Sequence, residues 1–229
     1  MMDIFVPARA VRIDPGRPRP YATTMLINPE HLDPQASYKL LTGMIVPRPI
    51  AWVTTATTTG GGNLAPFSAF TFVSSKPPMV GINVGRKAGV MKDTGANILR
   101  TGEYVIHVPD THLLEAVHQS SVEHPAEVSE VEVLGLQTMA SDFVHVPRLA
   151  AAPVAMECRL HRSIAFGDTG SQFMVGEVVA FHVRDDLLVD GKIDTVALQP
   201  ICRLGGPNYA LLGEIVRMKP VAQTPKSVI

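Results

Sequence analysis

Short apolar runs punctuated by turn residues dominate the chain from Ile45 to Val108. The runs Ile50–Thr55, Phe67–Val73, Met79–Val84 and Tyr104–Val108 are rich in Val, Ile, Phe and Thr, the residues that suit a pleated, half-buried surface. Ser74 to Pro78 forces a break between the second and third runs. One helix interrupts the series: Asp93 or Thr94 caps its start, Ile98 and Leu99 give it an inner face, and Gly102 stops it. A second helix is expected over Leu113–Ser120, and residues 121–148 read as a long excursion with a short helix near Glu127–Val133. Upstream, an amphipathic turn is expected over Pro34–Leu41, ended by Gly43.

Two long strands follow. Val154, Met156, Cys158 and Leu160 alternate with Ala155, Glu157, Arg159 and His161, a period of two. Gly167 to Gly170 forms a turn, Phe173–Val183 returns, and Asp190–Gly191 turns again. Ala210–Met218 fits either a strand or a helix. Short strands with few helices between them predict a mostly β fold with a few α-helices, its antiparallel sheet closing on itself as a barrel. The expected organisation is an extended, proline-rich arm over residues 1–36, one domain over 37–220 and a tail over 221–229.

Composition adds five points. Charged residues make up 18% of the 229 and hydrophobic residues 46%, so surplus apolar surface is expected in a subunit interface, as a homodimer would provide. The net charge of -1 gives no global attraction to nucleic acid or anionic membranes. Arg9, Arg12, Arg17 and Arg19 in the arm lack the interleaved aromatics that stack on bases. The longest apolar stretch, Leu149–Met156, is too short to span a bilayer. Two cysteines without CxxC spacing and no apparent signal peptide predict a reduced, cytoplasmic setting.

Candidate chemistry narrows by elimination. The eight histidines include no HExxH, and His112, His118 and His124, six apart, do not share a helix face. Glu115 and His118 are placed for a contact within one helix. No metal site is expected. Gly170–Phe173 is not a GxSxG elbow, and the glycines at 85, 89 and 95 match neither GxGxxG nor a P-loop. Two segments stand out. In the first, a strand beginning at Arg48 and Pro49 and carrying Trp52, Val53 and Thr54 is followed, after a Gly-rich link, by Asn63, Ala65, Pro66, Phe67 and Ser68. Small and polar residues on that return strand suit a flat polar ligand. In the second, Lys92, Thr94 and Asn97 sit at a helix N-terminus, where unpaired N–H groups and the dipole favour a phosphate.

Taken in order, Arg48–Thr54, Asn63–Phe70, Ser75–Val80, Lys92–Asn97, Gly167–Asp168, Gly176–Val178 and Arg203–Tyr209 resemble the FMN-binding split-barrel family of flavin reductase-like proteins. The resemblance covers about Tyr38 to Met218. It implies an antiparallel Greek-key split β-barrel, paired as a homodimer, with FMN as cofactor. The FMN phosphate would go to Lys92, Thr94 and Asn97, and the ring would lie along Trp52, Val53 and Thr54 against the Ala65–Ser68 backbone. Dedicated reductases of this family carry Gly-Asp-His at the late turn, whereas this chain has Gly167, Asp168 and Thr169. That departure points to the flavoredoxin-like branch, in which electrons pass through bound FMN from NAD(P)H or a protein donor. The alternatives are an NAD(P)H:flavin reductase that uses FMN as substrate and a non-catalytic flavin-binding protein. The flavin carries the redox chemistry in such proteins, so no catalytic acid or base is assigned.

Overall fold

The computed structural model describes residues 24–58 and 62–219. The arginine-bearing arm up to residue 23, link residues 59–61 and residues 220–229, which include the tail, lie outside the described residues. Contacts divide the chain at Tyr38/Lys39 into two compact units. In the first, Asn28 caps a helical turn at Pro29–His31, and the Asp33 carboxylate accepts from the Ala36 N–H at the start of α1 (Pro34–Met44). Gly43 lies inside α1 instead of ending it; the helix stops three residues before Pro47, which cannot donate to a further turn.

The second unit is built on a seven-stranded sheet. Its strands are β1 (Ala51–Ala56), β2 (Gly62–Phe67), β3 (Phe70–Ser75), β4 (Pro78–Val84), β5 (Glu103–Val108), β6 (Val154–Phe166) and β7 (Ser171–Val183). Every pairing is antiparallel, in the order β2-β1-β5-β6-β7-β4-β3. The run expected as one strand over Phe67–Val73 is two strands, broken at Ser68–Ala69. That break shapes the fold. Laid flat, six strand spacings would separate β2 from β3 by about 29 Å. Phe67 and Phe70 are three residues apart, a reach of about 11 Å at most. The sheet therefore curls until its two ends approach, and β2 comes near β4. The result is the split barrel.

Both faces of β1 are covered. Val53 points into the barrel with Phe67, Ile82, Ile106, Cys158 and Met174. Trp52 points outward into a second cluster with Leu64, Leu113, Val117, Val131 and Leu149. A strand covered on both sides reads as a continuous apolar run, as Ile50–Val53 does. Inside the barrel, a Cβ at Gly176 would overlap the Tyr104 hydroxyl, so close packing explains that glycine.

Among the described residues four α-helices follow α1: α2 (Asp93–Thr101), α3 (Leu114–Gln119), α4 (Glu130–Val133) and α5 (Thr195–Leu198). Gly102 ends α2 in the left-handed region at φ 72°, the expected glycine stop. His118 on α3 meets the Tyr209 hydroxyl, while Glu115 accepts from Gln119, so the expected Glu115–His118 contact does not form. After a short strand at Tyr209–Ala210, residues 211–219 are irregular, neither strand nor helix. Among the described residues no helix is long and apolar enough to cross a membrane.

One buried histidine ties the layers together. Leu149 N–H donates to His107 Nε2 at 2.9 Å, so the ring proton sits on Nδ1 and is donated to the Trp52 carbonyl, also at 2.9 Å. Burial lowers the His107 pKa to about 4; the Trp52 carbonyl opposes this, and the charges of Arg148 and His182 add to it. The unfolded chain takes up this proton near pH 6.5 and the folded chain only near 4. Between those values the unfolded state binds more protons, so this contribution is full above pH 6.5 and is lost as pH falls toward 4. Urea unfolding across that window should show a loss on the order of 3 kcal/mol from this group. His107→Gln, which keeps one donor and one acceptor, should flatten that part of the profile. An unchanged slope in the variant would refute the assignment.

Candidate functional site

A groove of about 380 Å³ opens beside the start of α2. One wall is β2, through Asn63, Ala65 and Pro66. As an end strand, β2 has one edge without a ladder partner, which is also where a proline is tolerated. The opposite wall is a small ribbon, Arg86–Lys87 paired with Val90–Met91, leading into Lys92 and Thr94. Ser120 to His124 and Glu130 close the groove from the 121–148 excursion and the end of α3.

The chemistry concentrates at the first turn of α2. Lys92, and not Asp93 or Thr94, occupies the N-cap, and it supplies no side-chain cap. The first N–H groups of a helix have no intrahelical partner; here the N-cap side chain does not serve them, and Lys92, Asp93 and Thr94 line the groove. Lys92 Nζ sits 5.9 Å from the centre of the Phe67 ring, a cation–π contact that holds it near this end. Lys87 adds a second cation and is ion-paired to Glu123 across the groove. Its ammonium holds the Glu123 carboxyl below the usual carboxylate range.

Behind the groove runs a hydrogen-bonded polar chain. The Asn97 amide donates to Thr55 Oγ1 at 3.1 Å, and Thr55 donates to Asn63 Oδ1 at 3.2 Å. Thr94 Oγ1 donates to the same Asn63 oxygen at 2.8 Å. The Asn63 amide donates to Glu130 Oε2 at 3.2 Å, and Leu64 N–H donates to that oxygen at 2.9 Å. Since each of these groups is buried, an unpaired member would cost about 1–3 kcal/mol. The chain therefore fixes α2 against β1 and β2 and sets the groove floor.

The fold brings Asn63, Ala65, Pro66, Lys92 and Thr94 together around the groove. It places the other expected residues elsewhere. Trp52, Val53 and Phe67 are buried in the two cores, and the Trp52 indole N–H donates to Ser120 Oγ at 2.9 Å. The Thr54 hydroxyl donates to the Pro147 carbonyl, and Asn97 serves the polar chain. Arg48 is a clamp: it donates to the carbonyls of Thr42, Ile45 and Leu204 and to the Ser68 hydroxyl, next to Pro49. Sequence reasoning missed Ser120, at the end of α3, and Ser121, His124 and Glu130, which reach the groove only through the folding of the excursion; no local spacing marks them. The Gly167–Gly170 turn, where Thr169 stands, is tied to the ribbon by an Arg86 hydrogen bond to the Gly170 carbonyl at 3.1 Å.

Residues 43–197 match the model of the flavin reductase like domain. The chain belongs to the flavin reductase-like family. The match takes in all seven strands of the sheet and every wall of the groove. Among solved structures, this flavin reductase-like chain is 40% identical to nitrilotriacetate monooxygenase component B from Bacillus cereus, with TM-score 0.83, covering 86% of this chain and 100% of that one. It is 32% identical to 2-nitrobenzoate 2-nitroreductase NbaA from Pseudomonas fluorescens, with TM-score 0.79, covering 89% and 100%. Flavoredoxin of Desulfovibrio vulgaris shares the fold at 22% identity and TM-score 0.67, over 76% and 91%. Family and neighbours together support a flavin as the cofactor of this flavin reductase-like protein.

Proposed function

We propose that the protein is an FMN-binding flavoprotein oxidoreductase that passes electrons through bound FMN. The observation that carries this reading is the uncapped first turn of α2, set between Lys92 and Lys87 at one end of the groove. Unserved amides, a positive dipole end and two ammonium groups suit a phosphate monoester. A dinucleotide has no such terminal group, which favours FMN over FAD. Lys92, Lys87 and the α2 amides would hold the phosphate; Ala65, Pro66 and the free edge of β2 would bear the flat ring; Asn63, Ser121 and His124 line the space between. The flavin would supply hydride- and electron-carrying chemistry, while the chain orients it and shields it from water. Exposed Phe72, Phe166 and Phe181 support a homodimer.

Purified protein should be yellow, with flavin absorption bands, or take up one FMN per chain when it is added. Colourless protein that fails to bind added FMN would end this reading. The likeness to a monooxygenase component B and to a nitroreductase supports a second reading, in which NAD(P)H reduces FMN and the reduced flavin leaves. Stopped-flow mixing with NADH and NADPH separates the two: rapid reduction with release of free flavin selects the second. Tight FMN that neither pyridine nucleotide nor a reduced protein donor can reduce marks a binding protein without catalysis.

A further inference from the structure

On the outer face of the sheet, Asp142, Glu157 and His182 bring three ligand atoms within 4.8 Å of one another. None of them lines the Lys87–Lys92 groove. Glu157 on β6 faces away from the barrel core, which takes its neighbours Met156 and Cys158. It pairs with Val105 and Ala180 on the adjacent strands, and its carboxylate has no exposure. Three backbone groups receive it. Asp142 N–H donates to Oε1 at 2.8 Å, and Phe143 and Val144 N–H donate to Oε2 at 2.6 and 3.1 Å. Those bonds lock the 142–144 backbone and so fix where the Asp142 side chain begins.

His182 on β7 meets this arrangement from the side. Its Nε2 lies 2.6 Å from Glu157 Oε1 and 3.7 Å from Asp142 Oδ2. One ring nitrogen carries at most one proton. It serves Glu157, and the second carboxylate is too far away for a hydrogen bond. Two carboxylates thus converge on a single donor, leaving net negative charge at the point where their oxygens and the imidazole meet. The Asp142 and His182 side chains are 65% and 22% exposed, so water and ions can reach this point. His182 also lines a cleft of about 450 Å³ with Arg148, Phe181 and Arg184.

We infer that Asp142, Glu157 and His182 form a binding site for a zinc-class divalent cation. One imidazole nitrogen and two carboxylate oxygens are a donor set for borderline metals. The backbone N–H groups on Glu157 are the outer contacts that hold such a ligand in place. Ligands about 2.1 Å from a metal lie roughly 3 Å or more apart. The partly exposed His182 therefore needs to retreat only slightly from Glu157. Three protein ligands leave coordination positions open toward the cleft, where water or an anionic ligand would complete the shell.

The test uses the full chain, free of any affinity tag and stripped by chelator. Calorimetric titration with Zn²⁺ should show one equivalent bound, and Co²⁺ should give a visible ligand-field absorption. Asp142→Asn and His182→Ala should each weaken Zn²⁺ binding by roughly tenfold or more. Asp142→Asn retains the backbone N–H that Glu157 uses, so thermal unfolding and flavin content should match the parent. The inference is overturned if Zn²⁺ does not bind, or if it binds equally well to the parent and both folded variants.

Discussion

Trp52→Ala is expected to lower the unfolding free energy by about 3–5 kcal/mol, the range for deleting a large buried aromatic. The indole is fully buried, packs with Leu64, Leu113, Val117 and Val131, and donates to Ser120 Oγ. Its neighbours belong to β2, α3 and α4, which carry the groove walls at Ala65, Ser120 and Glu130. Removing it leaves a cavity under both walls, so a folded remnant should also bind flavin poorly. Trp52→Phe separates the two roles. It keeps most of the packing and loses one hydrogen bond, a cost of about 1–2 kcal/mol. The Ser120 hydroxyl retains its own bond to the Val117 carbonyl. Flavin affinity in Trp52→Phe should stay near the parent value, because the indole is covered and does not line the groove. Denaturant titration gives the first result and flavin fluorescence titration the second. A large affinity loss in a stable Trp52→Phe protein would return the indole to the ring site.

The second large effect concerns the phosphate. Combining Lys87→Ala with Lys92→Ala should weaken FMN binding by on the order of 100-fold, two charge-assisted contacts at about 1.5 kcal/mol each. Riboflavin has no phosphate, so its affinity should change by no more than about threefold. Both lysines are exposed, which places each contact at the low end of the range and makes the loss smaller at high salt. Lys87 is exposed and Lys92 adds only an exposed cation–π contact to Phe67, so stability should change little. Equal losses for the two ligands would show that the phosphate lies elsewhere. Lys87 must also exchange its Glu123 partner for the ligand. Glu123→Gln should therefore strengthen FMN binding slightly, and that direction is readable in the same titration.

Local signals carried the parts of the fold that local physics decides. The alternation along Val154–Leu160, the glycine turn at 167–170 and the Gly102 stop of α2 all correspond to elements of the structure. Phe67–Val73 misled because Ser68 and Ala69 carry no turn signature; closure of the barrel breaks that run, and closure is a property of all seven strands. The α2 start was legible as a helix end beside Lys92 and Thr94, since these lie in consecutive residues, and both residues line the groove. The far wall was not, because Ser121, His124 and Glu130 approach it only after Trp52 and Leu64 gather the excursion beneath the sheet. Trp52 is a rare aromatic beside a polar strand, and the structure buries its indole in the outer cluster with Leu64, Val117 and Val131. Asp142, Glu157 and His182 share no spacing at all; their meeting is a cross-strand diagonal plus a loop.

The two-residue link at Ser68–Ala69 has a consequence for how the protein behaves outside its native state. Exposed strand edges recruit other chains, and proteins protect them with charges, bulges or covers. Here the outermost strands are consecutive in the chain, so the tether brings the two vulnerable rims toward each other. A single cut between Ser68 and Ala69, or a circular permutation that opens there, would leave every core residue in place and release both rims together. Such a protein should keep much of its secondary structure and yet self-associate, a failure set by connectivity and not by composition.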